Sequence, residues 1–578
     1  MHDLVIRGGL VVDGTGQAAR GADIAIDGGL ISQVGAVEAA GAREIDATGL
    51  IVTPGFVDIH THYDGQATWD AYLTPSCWHG VTTVVMGNCG VGFAPARPDR
   101  HEWLIALMEG VEDIPGAALA EGIAWNWESF PQYLDSLEGQ PRMLDIATQA
   151  PHGAIRAYVM GERGARNAPA TAEDINAMAA IVREAMEAGA LGFSTSRTML
   201  HRAKDGEPVP GTFAGADELM GIGEAMAAFG HGVFEIASDM APAEDEFRWM
   251  TQLSAKTGLP ITYGLLQSPA HPEKWRDLLA MADKAKAQGA NLIAQIACRP
   301  TGMVLGWQST VHPFSTRPAY RAIADMPFDQ RLERLRDPAV RAAILAEPPT
   351  PAEGLGAILF HGFDRMFRLE QGGGLDYEPA ADDSVAALAS RAGRAPDALV
   401  YDMLMENEGR GHIYLPLLNY TAFNFDHIHE MMLHPATVLS LSDGGAHCGV
   451  ICDASFPTYM LTHWVRDRAR GPRLPLETVI AMQTRETARL YGLEDRGVLA
   501  AGMKADLNLI DLDALTIEPP QMVFDLPAQG RRLIQKASGY RATIVAGAVT
   551  FENGEATGAM PGRLIRGRKA SPLAMAAE

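Results

Sequence analysis

Apolar and polar positions alternate with a short period at both ends of the chain and with a longer one between them. Residues 4–12, 24–34 and 49–52 read as strands punctuated by the turn pairs Asp13-Gly14 and Asp27-Gly28. Near the other end, 506–512 and 542–551 read the same way beside an Asn553-Gly554 hairpin signal. Neither end carries enough strands for a sandwich of its own. The two are therefore expected to meet, bring the termini near one another and complete one β domain around a long insertion.

Inside that insertion the pattern becomes strand, helix, strand, helix. The clearest unit opens on Thr171-x-x-Asp174, places Ile175, Met178, Ile181 and Met186 near helical spacing, and stops at Gly189 before a strand over 190–196. Helix–strand pairs follow at 217–230 and 232–236, 244–258 and 260–267, and 275–289 and 291–298. Strands over 55–62, 80–86, 143–151 and 437–442 bring the count to eight, which predicts an α/β fold: a (β/α)8 TIM barrel with right-handed crossovers. Residues 299–374 break the alternation with Pro313, Pro318, Pro327 and a helical 331–345, and read as a subdomain inserted after the sixth strand. The expected domains are 1–54 and 491–578 as two parts of a small β-sandwich, the second including a C-terminal tail, and 55–490 as the barrel.

Composition narrows the partners. With 578 residues, 47% of them hydrophobic and 20% charged, the chain is an ordinary large globular protein. Its net charge of -24 argues against nucleic acid and against an anionic membrane surface. The partner left is a small-molecule substrate, with a homo-oligomer open. Cys77, Cys89, Cys298, Cys448 and Cys452 are odd in number and sparse, which suits reduced thiols or metal ligands and a cytoplasmic location. Asp3, Arg7 and Asp13 interrupt the first apolar stretch, so a secretory leader is not expected there. The uncharged run 78–96 is broken by Gly80, Gly87, Asn88, Gly90 and Gly92, and reads as buried strand and loop instead of a membrane span.

Three short motifs carry chemistry. In Pro54-Gly55-Phe56-Val57-Asp58-Ile59-His60-Thr61-His62 the two histidines are two apart at a strand end, so they share a face and can reach one cation. A bare His-x-His is more often two solvated or core histidines, and context has to raise it. In Leu439-Ser440-Leu441-Ser442-Asp443-Gly444 a carboxylate ends the eighth strand, where a turn-capping Asp is the bland alternative. In Met86-Gly87-Asn88-Cys89-Gly90 a thiol sits among glycines after the second strand; a buried structural cysteine is the competing reading.

Together, the His60-Thr61-His62 motif, Gly87-Asn88-Cys89-Gly90 and Ser442-Asp443-Gly444 resemble the amidohydrolase superfamily, and within it the D-aminoacylase, or N-acyl-D-amino-acid deacylase, branch. The resemblance spans essentially the whole chain, including Ala501-Gly502-Met503-Lys504-Ala505-Asp506-Leu507 as a return strand and Pro561-Gly562-Arg563-Leu564-Ile565-Arg566 as the ending. It implies a metal-dependent hydrolase in which His60, His62 and Asp443 form one metal site and Cys89 reaches a tightly held zinc. The stretches 232–239 and 261–267 lack the histidines that the branch carries after strands five and six, and 190–196 lacks the lysine that many members carbamylate. One divalent ion, zinc before others, is therefore expected in preference to two. The branch's His-Pro-Arg stretch reads His447-Cys448-Gly449 here, which leaves two readings: Arg197, Arg202 or Arg299, each more often a structural ion-pair partner, takes over the substrate carboxylate, or the substrate has no free carboxylate; His152, by resemblance, lines the pocket or supports residues that do. His427 and His429 are read as structural, since the spacing of two diverges on a helix.

The reaction expected is hydrolysis of the amide bond of an N-acylated small molecule, N-acyl-D-amino acids among them. Water activated by the metal attacks, and Asp443 serves first as general base and then as general acid. Cyclic-amide or carbamate hydrolysis needs the same groups. A non-catalytic scaffold on this fold is the alternative outside enzymes, and retention of His60, His62, Cys89 and Asp443 argues against it.

Overall fold

The computed structural model describes residues 1–348, 351–352, 354–371 and 374–568. Its centre is a closed parallel barrel. Phe56–Asp58, Val81–Met86 and Asp145–Thr148 pair in that order, and the third strand runs on as Ala150–Pro151. Ala150–Pro151 pairs with Gly192–Arg197, followed by Val233–Ser238, Ile261–Gly264, Leu292–Ile296 and Thr437–Leu439. The ring closes where Thr61 bridges Gly444 in parallel and the His62 amide donates to the Gly444 carbonyl at 2.8 Å. These are the eight strands that the alternation predicts.

Barrel strands are covered by helices outside and by packed side chains inside, so they are apolar on both faces. Every residue of Val81–Met86 is buried accordingly. The helix Ala172–Ala188 has the capping box expected at Thr171 and Asp174 and ends on Gly189 at φ 114°. It buries Met178, Val182, Ala185 and Met186. Among the described residues no helix is long and apolar enough to cross a membrane.

The strands of the two chain ends do meet. Ile51–Pro54 pairs antiparallel with Leu507–Ile510 inside one nine-stranded sheet, around a core that joins Leu4, Ile6, Ile24 and Val52 to Leu507, Leu509 and Ile544. The tail then leaves that sheet: Leu564 bridges Ile146 on the third barrel strand, and the Arg563 amide donates to Asp145 Oδ1 at 2.9 Å.

The inserted subdomain departs from expectation in two ways. It follows the seventh barrel strand, Leu292–Ile296, and not the sixth. It also continues past 374, because Gly302–Leu305 pairs antiparallel with Ile413–Pro416 and one core joins Leu305, Trp307 and Phe314 to Val400, Tyr401 and Leu415.

Candidate metal centre and active site

His60 and His62 lie just beyond the first barrel strand, at the mouth formed by the strands' carboxyl ends. Asp58, the last residue of that strand, accepts from the His60 amide at 3.3 Å and from the Ser442 hydroxyl, tying strand one to strand eight. Burial pushes its carboxyl up to about 6. His60 Nδ1 is 2.8 Å from Gln295 Oε1. That oxygen also accepts from Ser440 Oγ at 2.8 Å, while Gln295 Nε2 donates to Thr262 at 2.9 Å. The network leaves Gln295 Oε1 only as an acceptor, so His60 Nδ1 carries the proton and Nε2 presents its lone pair.

Around that lone pair the other groups converge. Cys89 Sγ is 3.3 Å and Asp443 Oδ1 3.4 Å from His60 Nε2, and the same Asp443 oxygen is 3.7 Å from His62 Nε2. The ligand atoms of His60, His62 and Cys89 all lie within 4.8 Å of one another. Cys89 and Asp443 both hold left-handed backbone, φ 56° and φ 47°, which side-chain-bearing residues adopt only where the surroundings enforce it. The Cys89 amide is caught by Glu235 Oε2 at 2.9 Å, and the Gly90 amide by Ser194 Oγ at 3.0 Å. A Cβ at Gly90 would stand 2.7 Å from the Ser196 nitrogen, so the thiol loop lies flat on the fourth strand only with glycine there.

The site is rich in buried acid. Glu112 Oε1 is 3.3 Å from His62 Nδ1, and Glu112 Oε2 is 3.6 Å from His447 Nε2. Burial, with the charges of Asp443, Asp64 and Glu235 added, raises the Glu112 carboxyl well above its usual range. Burial also lifts Asp64 and Glu235 to about 7 and the Cys89 thiol far up, and it lowers His62 to about 4. Asp443 goes the other way. Burial opposes its ionisation, but the hydrogen bond from His62 and the charges of His60 and His447 hold it below the usual carboxylate range. Three buried atoms here are left without a hydrogen-bond partner: His62 Nδ1, Glu112 Oε1 and Glu235 Oε1. Acids buried beside histidines and a thiol, with unsatisfied oxygens, are costly unless a cation joins them. The sulfur, nitrogen and oxygen donors suit zinc.

The substrate-side residues read from the sequence are engaged with partners outside the cluster. His152 is fully buried, with Nδ1 2.8 Å from Thr195 Oγ1 and Nε2 3.0 Å from Glu218, so both nitrogens are engaged. Arg197 grips Glu246 with Nε and Nη2 and donates Nη1 to the Ala214 carbonyl. Arg299 is 1% exposed, pairs with Asp453 at 2.9 Å and lies 3.7 Å over the Tyr377 ring. Each arginine has found a carboxylate of its own, the usual fate of a guanidinium in an acid-rich fold. Arg202 donates to the Gly206 carbonyl within its own loop. His427 and His429 sit on the helix Asp426–Met432.

Sequence reasoning missed Glu112 and Gln295. Glu112 ends the helix His101–Glu112 and carries no local signal. Glu235 lies in the strand Val233–Ser238, and its contact with Cys89 is purely tertiary.

A family model described as "Amidohydrolase family" matches residues 43–551. The D-aminoacylase of Alcaligenes xylosoxydans xylosoxydans is 27% identical over 577 residues, covering 97% of each chain. The N-acyl-D-glutamate deacylase of the same organism is 27% identical over 572 residues, covering 98% of this chain and 96% of the relative. Among solved structures, a D-aminoacylase superposes with TM-score 0.65 at 23% identity, over 98% of this chain and 100% of that one. The N-acyl-D-glutamate deacylase of Bordetella bronchiseptica, complexed with zinc and a phosphonate inhibitor, gives TM-score 0.63 at 24% identity over 98% and 99%. Both carry the same barrel-plus-small-domain fold.

Proposed function

Because the chain belongs to the amidohydrolase family, and so hydrolyses carbon–nitrogen amide bonds, we propose that its substrates are N-acyl-D-amino acids and that one zinc ion is held by His60, His62, Cys89 and Asp443. The observation that carries this is the approach of Cys89 Sγ and Asp443 Oδ1 to 3.3 and 3.4 Å of one histidine nitrogen. The substrate class rests on the D-aminoacylase and N-acyl-D-glutamate deacylase that match nearly end to end. One ion is favoured over two because the strand-five and strand-six stretches, 232–239 and 261–267, hold no histidine. The five unpaired, buried cysteines support a reducing compartment, the cytoplasm.

When bound, the ion supplies Lewis acidity to the scissile carbonyl and makes water acidic enough to attack near neutral pH. The chain's own groups do the rest. Gln295 fixes the tautomer of His60, and the Glu112 carboxyl lies 3.3 Å from His62 Nδ1, on the far side of that ring from Asp443. Asp443 takes the proton of the attacking water and returns it to the departing nitrogen, a step without which an amine leaves poorly.

The test is metal analysis of the full chain together with hydrolysis of a panel: N-acyl-D- and N-acyl-L-amino acids, neutral N-acyl amines and cyclic amides. One zinc per chain and release of free D-amino acid are expected. Two ions per chain, or full activity without metal, would overturn the site; turnover of cyclic amides alone would overturn the substrate.

A further inference from the structure

The loop after the fourth barrel strand brings a histidine to the metal cluster that no motif announced. Strand residues alternate in facing, so Ser194 and Ser196 of Gly192–Arg197 project to the same side. Ser194 Oγ touches the thiol loop through the Gly90 amide, and the residue paired with Ser194 in the next strand is Glu235, which holds the Cys89 amide. The shared face is therefore the barrel interior at the level of Cys89, and Ser196 lies one pleat nearer the mouth. Ser196 Oγ is 3.1 Å from His201 Nδ1. The imidazole thus hangs from the fourth strand on the mouth side of the thiol loop, whose Gly90 packs against the Ser196 backbone.

The loop is held on both flanks of His201. Before it, the Met199 amide donates to Asp239 Oδ2 at 2.9 Å. After it, the Val209 amide donates to the His201 carbonyl at 3.2 Å, and the Lys204 amide reaches the Ala106 carbonyl on the helix His101–Glu112, also at 3.2 Å. Gly110 admits this approach: a Cβ there would stand 2.4 Å from the Lys204 nitrogen. Met199 and Leu200, 42% and 62% exposed, set apolar surface next to the imidazole. A fixed hydrogen-bonding group beside exposed apolar side chains matches an acyl group, whose carbonyl oxygen and hydrocarbon tail adjoin.

We propose that His201 is a catalytic residue whose Nε2–H donates to the scissile carbonyl oxygen, with Ser196 the positioning residue that donates its hydroxyl to Nδ1 and so sets the tautomer. This rests on the amide-hydrolase reading above and adds to it the donor that receives the oxygen's negative charge as water adds. Burial lowers the His201 pKa to about 3, in keeping with a neutral donor. A pre-positioned donor of this kind raises turnover more than binding, because the charge it meets develops only in the transition state.

The test compares kcat, KM, zinc content and melting temperature for wild type, His201→Ala, His201→Gln and Ser196→Ala, using the N-acyl-D-amino acid that wild type cleaves fastest. His201→Ala is expected to lose about 100-fold in kcat, with KM within about threefold and zinc content unchanged. His201→Gln, whose amide nitrogen reaches the place of Nε2, is expected to recover about tenfold of that loss, and Ser196→Ala to lose about tenfold. A His201→Ala kcat within threefold of wild type overturns the proposal. So does a loss matched by loss of zinc or of folded protein, or a glutamine variant no better than alanine. If wild type cleaves no member of the panel, the amide-hydrolase reading falls and this one with it. An active wild type alongside an active His201→Ala removes this inference alone.

Discussion

Gln295 accepts from His60 across the barrel at 2.8 Å, and Ser440 and Thr262 leave that glutamine a single orientation. The contact joins the seventh barrel strand to the residue at the centre of the candidate metal site. A ligand histidine is only as well aimed as the group behind its other nitrogen.

Gln295→Leu removes that acceptor and frees the ring of His60. Zinc affinity, read by competition with a chromophoric chelator, is expected to fall about 10- to 100-fold. The fold should persist, since leucine suits the barrel interior. Unchanged affinity would mean that the contact serves packing alone.

Asp443 and His60 should separate chemistry from metal holding. Asp443→Asn keeps shape but loses the proposed base, and kcat is expected to drop about 100-fold or more while some of the bound metal is retained. His60→Ala removes the ligand nearest both Cys89 and Asp443, so loss of zinc should lead and loss of activity follow. Atomic absorption and initial rates on the same preparations check both.

How much of this was legible depends on how local each signal is. The His60–His62 pair could be read because alternation along a strand is a property of adjacent residues. Eight strands could be read because strands buried on both faces stay uncharged and mostly β-branched for several positions, as Val81–Met86 does. Glu112 and Gln295 could not, because their meaning lies in contacts 50 and 235 positions away. The partners of Arg197 and Arg299 were hidden for the same reason: an arginine at a strand end does not say that Glu246 or Asp453 will answer it. The far limit of the insertion was hidden because Ile413–Pro416 is marked only by its pairing with Gly302–Leu305.

Acid should weaken the packing behind strand four. Burial raises the Glu218 carboxyl, but hydrogen bonds and charges from His152 and Arg156 outweigh it and lower its pKa from an ordinary 4.5 to about 2. A depressed carboxylate stabilises the fold above its unfolded value and loses that contribution as pH falls from 4.5 towards 2. The shift corresponds to about 3 kcal/mol. Burial also holds His152 below its ordinary pKa, so acid must charge a buried imidazole as well, which adds in the same direction. Glu218→Gln should therefore melt lower at neutral pH and show a flatter dependence below pH 4.5. Parallel curves for the two proteins would refute the linkage.

The seam between the barrel and the small β domain offers a test of buried charge. Asp145, fully buried on the third barrel strand, receives Arg496 Nη1 at 2.6 Å and Lys504 Nζ at 2.9 Å, and Arg496 also donates to Thr83 Oγ1 at 2.8 Å. Lys504 holds Asp506 at 2.7 Å as well, and Arg496 also grips the exposed Asp495 at 2.8 Å, so two cations answer three acids, two of them buried. Removing one partner of such a set leaves a charge uncompensated, at about 3–5 kcal/mol, whereas replacing both by well-packed neutral side chains is often close to neutral. Arg496→Met alone is therefore expected to lower the melting temperature by several degrees, and Arg496→Met with Asp145→Asn to recover much of that loss. Zinc content per folded chain should not change in either, because the seam lies at the opposite side of the third strand from its mouth-facing end at Ala150–Pro151. If the double variant is as unstable as the sum of its single variants, the two groups do not act as a pair.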